Sequence, residues 1–185
     1  MKTLLQTLLL TFLLVLTATA AETRLSVRQD GNMLTVQGQL DVPVNQTVAW
    51  TVLTDYARFP DFVPGINSSR VLEQRNSMKL VEQRGMVSAG SFRMPFQGVA
   101  QVEEHKRDGQ PDSIRIMFVS GPLKDVQGEW KVKPGVPLEL IYIMRMDLMK
   151  APFPPPMAGT IIEQQVRSWV EAFAQEMQAV KRKKE

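Results

Sequence analysis

The chain contains no cysteine and a single histidine, His105, in 185 residues. Disulfides, thiolate zinc sites, iron–sulfur clusters, cysteine nucleophiles and a lipidated N-terminal cysteine are excluded together. One histidine argues against both a Ser-His-Asp triad and a multi-histidine metal site. An excess of one charge is also missing. Lys and Arg total 22 against 19 Asp and Glu, for a formal net charge of +3, too small to point to nucleic acid. Beyond residues 1–21 no stretch is long and apolar enough to span a bilayer. Internal repeats and low-complexity linkers are absent. What remains is ordinary globular composition, 44% apolar and 22% charged, over a length that suits one domain.

Residues 1–21 read as a targeting segment. Lys2 supplies the positive start, Leu8 to Leu16 the apolar stretch, and Ala18-Thr19-Ala20 the small-x-small pattern that signal peptidase accepts. Cleavage after Ala20 is predicted, leaving 21–185 as one exported domain. A membrane anchor is the competing reading, but Gln6, Thr7 and Thr11 interrupt the run, which is shorter than the ~20 residues a span needs. Export of a chain without cysteine suits a bacterial periplasm, with stability supplied by packing alone.

Two short apolar stretches, Leu25 to Arg28 and Met33 to Leu40, flank Gln29-Asp30-Gly31-Asn32, which predicts an opening hairpin. Pro43 ends the second strand, and Asn45 caps a helix expected to reach Ala57. Val48, Val52 and Tyr56 share its apolar face. The next segment, Phe59-Pro60-Asp61-Phe62-Val63-Pro64-Gly65-Ile66, holds two prolines and a glycine and is predicted to form a short helical turn or lid. Its large apolar side chains are costly to expose unless they cover something apolar.

From Ser69 to Met149 strands are expected near 69–75, 78–90, 92–106, 113–119, 124–133 and 138–148, joined by short polar or proline-glycine turns. Short connections make the sheet an antiparallel meander. Period-two alternation puts Phe92, Met94 and Phe96 on one face, with Val126, Gly128, Trp130 and Val132, and with Leu138, Leu140, Tyr142, Met144 and Met146. That apolar face needs a cover. It comes after the proline-rich stretch Pro152 to Pro156, where Ile162, Val166, Trp169, Val170, Phe173, Met177 and Val180 recur at steps of three and four. A helix over 157–182, at about 1.5 Å per residue, reaches across a whole sheet.

The order strand, helix, lid, strands, long terminal helix is a helix-grip arrangement: an α+β fold in which a curved antiparallel sheet of about seven strands wraps a long C-terminal helix. Five blocks carry a family likeness: Val48-Ala49-Trp50-Thr51-Val52-Leu53-Thr54-Asp55-Tyr56, the 59–66 segment, Ser69-Arg70-Val71-Leu72-Glu73, Gly128-Glu129-Trp130 and the proline-rich entry to the last helix. The resemblance is to the START-like superfamily, in particular the bacterial polyketide cyclase/dehydrase and lipid-transport group, which includes the coenzyme Q-binding proteins. It covers about residues 24–182. It implies an apolar cavity between helix and sheet that holds a lipid, isoprenoid or other hydrophobic small molecule. Carriers and enzymes share the fold, so the resemblance does not choose between them.

Phe92, Met94, Phe96, Phe118, Trp130, Tyr142, Met144 and Met146 on the sheet, with Val166, Trp169 and Phe173 on the helix, are the expected cavity wall. The alternative for each is a filled core. Eleven methionines favour an adaptable pocket, expected at ~300–1,000 Å³. Phe59, Pro60, Phe62, Val63, Pro64 and Ile66 are the expected lid. Glu82 and Arg84 are either a surface ion pair or polar groups entering the cavity; Tyr142 is the better internal hydrogen-bonding handle. Glu103 and Glu104 point to opposite faces and form no carboxylate pair, and His105 sits at a solvated strand end. The basic end, Lys181 to Lys184, complements the helix dipole and also suits transient contact with an anionic membrane surface. No metal, cofactor or nucleic-acid partner is expected. A carrier of a hydrophobic ligand is the leading reading. A cyclase/dehydrase-type enzyme and a protein-interaction module with a filled core are the alternatives.

Overall fold

A computed structural model describes residues 23–106 and 112–183. The predicted signal peptide, the expected turn at 108–111 and Lys184 lie outside the described residues. The elements in chain order are β1 (Arg24–Asp30), β2 (Met33–Val42), α1 (Gln46–Thr54), α2 (Phe59–Phe62), β3 (Ile66–Arg75), β4 (Met78–Ala89), β5 (Phe92–His105), β6 (Asp112–Phe118), β7 (Gln127–Lys133), β8 (Leu138–Asp147) and α3 (Pro155–Arg182).

All the strands form one antiparallel sheet in the order β1-β2-β8-β7-β6-β5-β4-β3. It has eight strands rather than about seven. The opening hairpin contributes two full strands, paired from Arg24↔Gln39 to Asp30↔Met33. β2 then crosses to pair with β8, and the remaining strands run as a meander out to β3.

Asn45 caps α1 as expected, its Oδ1 accepting from the Val48 N–H at 2.9 Å. The helix ends at Thr54 rather than Ala57, because Asp55 leaves the helical region at φ −87, ψ 66. Tyr56 then enters a single 3₁₀ turn, Tyr56–Arg58, and its hydroxyl reaches Glu104 on β5. A tertiary hydrogen bond thus overrides the local helical pattern. α2 follows at once. Gly65, at φ 84, turns the chain into β3, and Met86 donates its N–H to the Gly65 carbonyl at 2.8 Å. β3 consequently begins three residues before the predicted Ser69. β7 begins later than expected, because 120–126 fold into a compact loop closed by Phe118 N–H to the Val126 carbonyl at 3.0 Å.

α3 lies across the concave face. Its buried stripe Ile162, Val166, Val170, Phe173 and Met177 meets Val36, Leu40, Leu138, Leu140 and Met144 in one core. Each fully buried aliphatic side chain contributes about 1.5–3 kcal/mol, so this layer fixes the helix on the sheet. The 59–66 segment closes over the outer flank of α3.

Candidate functional site

Helix and sheet do not fill the space between them completely. A void of about 50 Å³ remains. Its walls come from three places. Tyr56, Phe59, Val63 and Ile66 enter from the lid side, and Trp169 and Phe173 from α3. From the sheet come Val81 and Gln83 on β4, Ala100 and Val102 on β5, Ile116 and Phe118 on β6, Trp130 on β7 and Tyr142 on β8. The short side chains Val81, Ala100 and Val102 face seven aromatic side chains across the void.

Of the expected wall, Phe118, Trp130, Tyr142, Trp169 and Phe173 border this space. Phe92, Met94, Phe96, Met144, Met146 and Val166 do not. Phe92 packs on Phe153 with ring centroids 5.8 Å apart, and Phe96 on Phe118 at 6.5 Å. Met144, Met146 and Val166 are fully inside the packed core, while Met94 lies against it half-buried. Six bordering groups were not anticipated: Tyr56, Val81, Gln83, Ala100, Val102 and Ile116. For Ala100 and Val102 the signal was the continuation of the inward parity of β5 past Phe96, and for Val81 and Gln83 the odd parity of β4.

In the lid, Phe59, Val63 and Ile66 face the void. Phe62 stacks edge-to-face on Phe173 at 5.1 Å, as Phe59 does at 5.2 Å. Pro60 and Pro64 do not border the void. These rings occupy the volume expected to be open, so the closed space is well below the ~300–1,000 Å³ of a ligand-sized pocket. Two polar contacts hold the lid down. Trp169 Nε1 donates to the Pro64 carbonyl at 3.1 Å, and Arg58 Nη2 donates to Glu176 Oε1 at 2.9 Å.

Of the side chains with polar atoms that line the void, those of Tyr56 and Trp169 are committed to Glu104 and to the Pro64 carbonyl. The Gln83 side chain faces the void from β4 and the Tyr142 hydroxyl from β8. Neither makes a hydrogen bond among the described residues. Tyr142 is 3% exposed, and burial pushes its phenol well above the ordinary tyrosine range. Glu82 and Arg84 do not enter the void. Glu82 pairs with Arg70 at 2.9 Å and with Arg84 at 3.6 Å on the opposite face.

At the end of the void nearest α1, Tyr56 Oη donates to Glu104 Oε1 at 2.8 Å, and Lys79 Nζ donates to the same oxygen at 2.6 Å. Lys79 also lies 5.1 Å from the Tyr56 ring centre. Burial and the bond to Glu104 both raise the Tyr56 phenol. Glu103 is on the other face of β5, where its carboxylate lies 3.6 Å from His105 Nε2, and that histidine does not border the void. Lys181 Nζ donates to the Pro43 carbonyl at 3.1 Å; Arg182 and Lys183 are exposed.

The chemistry of the lining follows. Its titratable groups are two phenols, one committed to Glu104, and both hold their protons more tightly than in water. The lining supplies apolar surface, aromatic faces and neutral hydrogen-bonding groups, but no bordering carboxylate, amine or imidazole. Among the described residues no group of three acidic, histidine or cysteine side chains is placed to hold a metal. No described helix is long and apolar enough to cross a membrane.

The fold is shared with proteins of known structure. The STAR-related lipid transfer protein of Xanthomonas axonopodis is 14% identical, with 83% of this chain and 98% of that chain aligned at a TM-score of 0.66. Human StAR-related lipid transfer protein 5 is 8% identical over 88% of both chains, with a TM-score of 0.65. The Zhui aromatase/cyclase from Streptomyces sp. R1128 is 17% identical over 79% of this chain and 94% of that chain, with a TM-score of 0.60. At these identities the likeness establishes the helix-grip fold, and the neighbours include both lipid-transfer proteins and aromatase/cyclases. No curated protein sequence matches the chain. The family model for polyketide cyclase / dehydrase and lipid transport matches residues 42–174, a span running from the end of β2 through most of α3, and the chain belongs to that family.

Proposed function

We propose that the protein is an exported carrier that takes a hydrophobic small molecule, of the lipid or isoprenoid class, into the space between α3 and the sheet. One observation carries this reading: the void is walled chiefly by aromatic and aliphatic side chains, and Gln83 and Tyr142 on its lining make no hydrogen bond among the described residues. A ligand bearing a neutral oxygen would satisfy them while its apolar surface leaves water at ~25 cal/mol per Å². Uptake requires Phe59 and Phe62 to withdraw from Phe173 so that the void enlarges. Exposed Arg182 and Lys183 suit delivery at an anionic surface, at ~1 kcal/mol per cation.

The cyclase-type alternative needs a proton acceptor facing the ligand. Tyr142 is a donor at neutral pH, and Glu104 stands behind Tyr56 rather than at the wall. This favours holding over turnover. Titration of the mature protein with the fluorescent apolar probe N-phenylnaphthylamine tests the reading. Saturable uptake of one probe per chain is expected, as is displacement by lipid extracted from the purified protein. A folded protein that yields no lipid and shows no saturable uptake would overturn it.

A further inference from the structure

A second concavity, of about 210 Å³, lies beside the lid, between α3 and the free edge of β4. β3 begins at Ile66 opposite Gly85, so beyond Met86 that edge has no neighbouring strand. Met86 turns its N–H outward to Gly65. Ser88, next in the same alternation, turns its backbone groups to the same side. The groove is walled by Ser88 and Arg93 from the β4–β5 hairpin and by Gln164, Gln165 and Ser168 from α3. Arg93 Nη1 donates to Ser88 Oγ at 3.2 Å. Gln165 is only 7% exposed, and its carboxamide makes no hydrogen bond among the described residues, although it borders the groove. The set comprises one guanidinium, two hydroxyls and two amides. No carboxylate lines the groove among the described residues.

The groove and the void are linked by one contact between their linings. Pro64 borders the first and Trp169 the second, and the two are joined by the Trp169 Nε1 bond to the Pro64 carbonyl. We propose that the groove seats the anionic head group, carboxylate or phosphate, of an amphiphile whose apolar portion enters the void behind Trp169. The proposal rests on the void being the ligand site. A guanidinium fork with flanking hydroxyl and amide donors matches the oxygens of such a head. Leaving the head at the rim also explains why the void needs no charged group: only the apolar part is desolvated.

Trp130 and Trp169 both border the void, so intrinsic fluorescence reports its occupancy. The mature protein and Arg93→Gln are titrated with dodecanoate, dodecyl phosphate, dodecanol and inorganic phosphate, each below its micellar concentration. One or both anionic amphiphiles are expected to bind about tenfold more tightly than dodecanol, a preference of roughly one charge-assisted contact. Arg93→Gln is expected to remove that preference and leave dodecanol unchanged; Ser168→Ala is expected to reduce it. The stronger of the two anions identifies the head. Equal binding of dodecanol and both anions to the parent protein, or equal weakening of all three in Arg93→Gln, overturns the head-group site while the void reading stands. A response to inorganic phosphate as large as to the amphiphiles overturns the joined site in favour of a free-anion site. No response to any amphiphile overturns both readings.

Discussion

The Trp169 indole donates its Nε1–H to the carbonyl oxygen of Pro64 at 3.1 Å, tying the long helix to the loop that follows α2. Trp169 also borders the void with its ring, so one residue serves both as wall and as fastener. Trp169→Phe keeps most of the ring and loses the bond. The expected cost is about 0.5–1.5 kcal/mol of stability, read from denaturant unfolding. Stopped-flow uptake of N-phenylnaphthylamine is expected to speed up, because the lid opens more often. A variant that is destabilised but takes up probe no faster would show that the Pro64 contact does not control entry.

Tyr142 offers a sharper separation of folding from binding. Its hydroxyl has no hydrogen-bond partner among the described residues, so Tyr142→Phe removes no protein–protein bond. Stability is expected to stay within about 0.5 kcal/mol of the parent, since no protein hydrogen bond is lost. Affinity for a carbonyl-bearing apolar ligand, retinal for instance, is expected to fall by about tenfold or less, with a smaller change for its hydrocarbon analogue. Isothermal titration of the two ligands makes the comparison. Equal losses for both would mean that the hydroxyl does not touch the ligand.

The two phenols also set an alkaline limit. Tyr56 and Tyr142 both have folded pKa values raised above the ordinary tyrosine value, in each case first by burial. Below about pH 10 both states are protonated and the contribution is fully present. As pH rises above that, the unfolded chain releases these protons and the folded chain retains them. Stability therefore falls by about 1.4 kcal/mol per pH unit for each phenol, until the folded groups themselves ionise. Urea unfolding above about pH 10 is expected to approach this slope, reduced by one phenol's share in Tyr142→Phe. An unchanged slope in that variant would contradict the burial assigned to Tyr142.

The architecture was readable because its signals are periodic. Three-four spacing from Ile162 to Val180 and alternation from Leu138 to Met146 each define one buried face, and the structure buries those faces against each other. The site was less readable, for three reasons. Large apolar residues mark a buried face, but not where along that face space is left. Phe92, Met94 and Phe96 drew attention on β5, while the space opened further along, at Ala100 and Val102. On β4 both parities carry apolar residues, Leu80 and Met86 on one and Val81 and Val87 on the other. The charges on Glu82 and Arg84 show which face is wet only once Arg70 is known to lie beside them. Gln83 is hidden between them. The Tyr56–Glu104 bond joins residues 48 positions apart, a distance over which local patterns carry no information.

Gly128 supplies a test of whether the void is usable space. It lies on the inward face of β7, and a Cβ added there would stand 2.6 Å from Tyr142 Oη and 3.2 Å from two of the ring carbons. Such a contact is too short to persist, so the Tyr142 ring must move. Trp130 blocks one side, its ring centre 4.4 Å from that of Tyr142, and the void is the open direction. In Gly128→Ala the ring is therefore expected to swing inward and occupy part of the 50 Å³. In a close-packed core the added methyl would cost about 1–3 kcal/mol. Here relief into the void, together with the better strand propensity of alanine, should hold the loss below about 1 kcal/mol. Probe capacity should fall instead, by about tenfold or more in affinity, because the displaced ring competes with the ligand for the same volume. Thermal unfolding and N-phenylnaphthylamine titration of this one variant give both numbers. A large loss of stability with uptake intact would mean that Tyr142 cannot reach the void and that the ligand enters elsewhere.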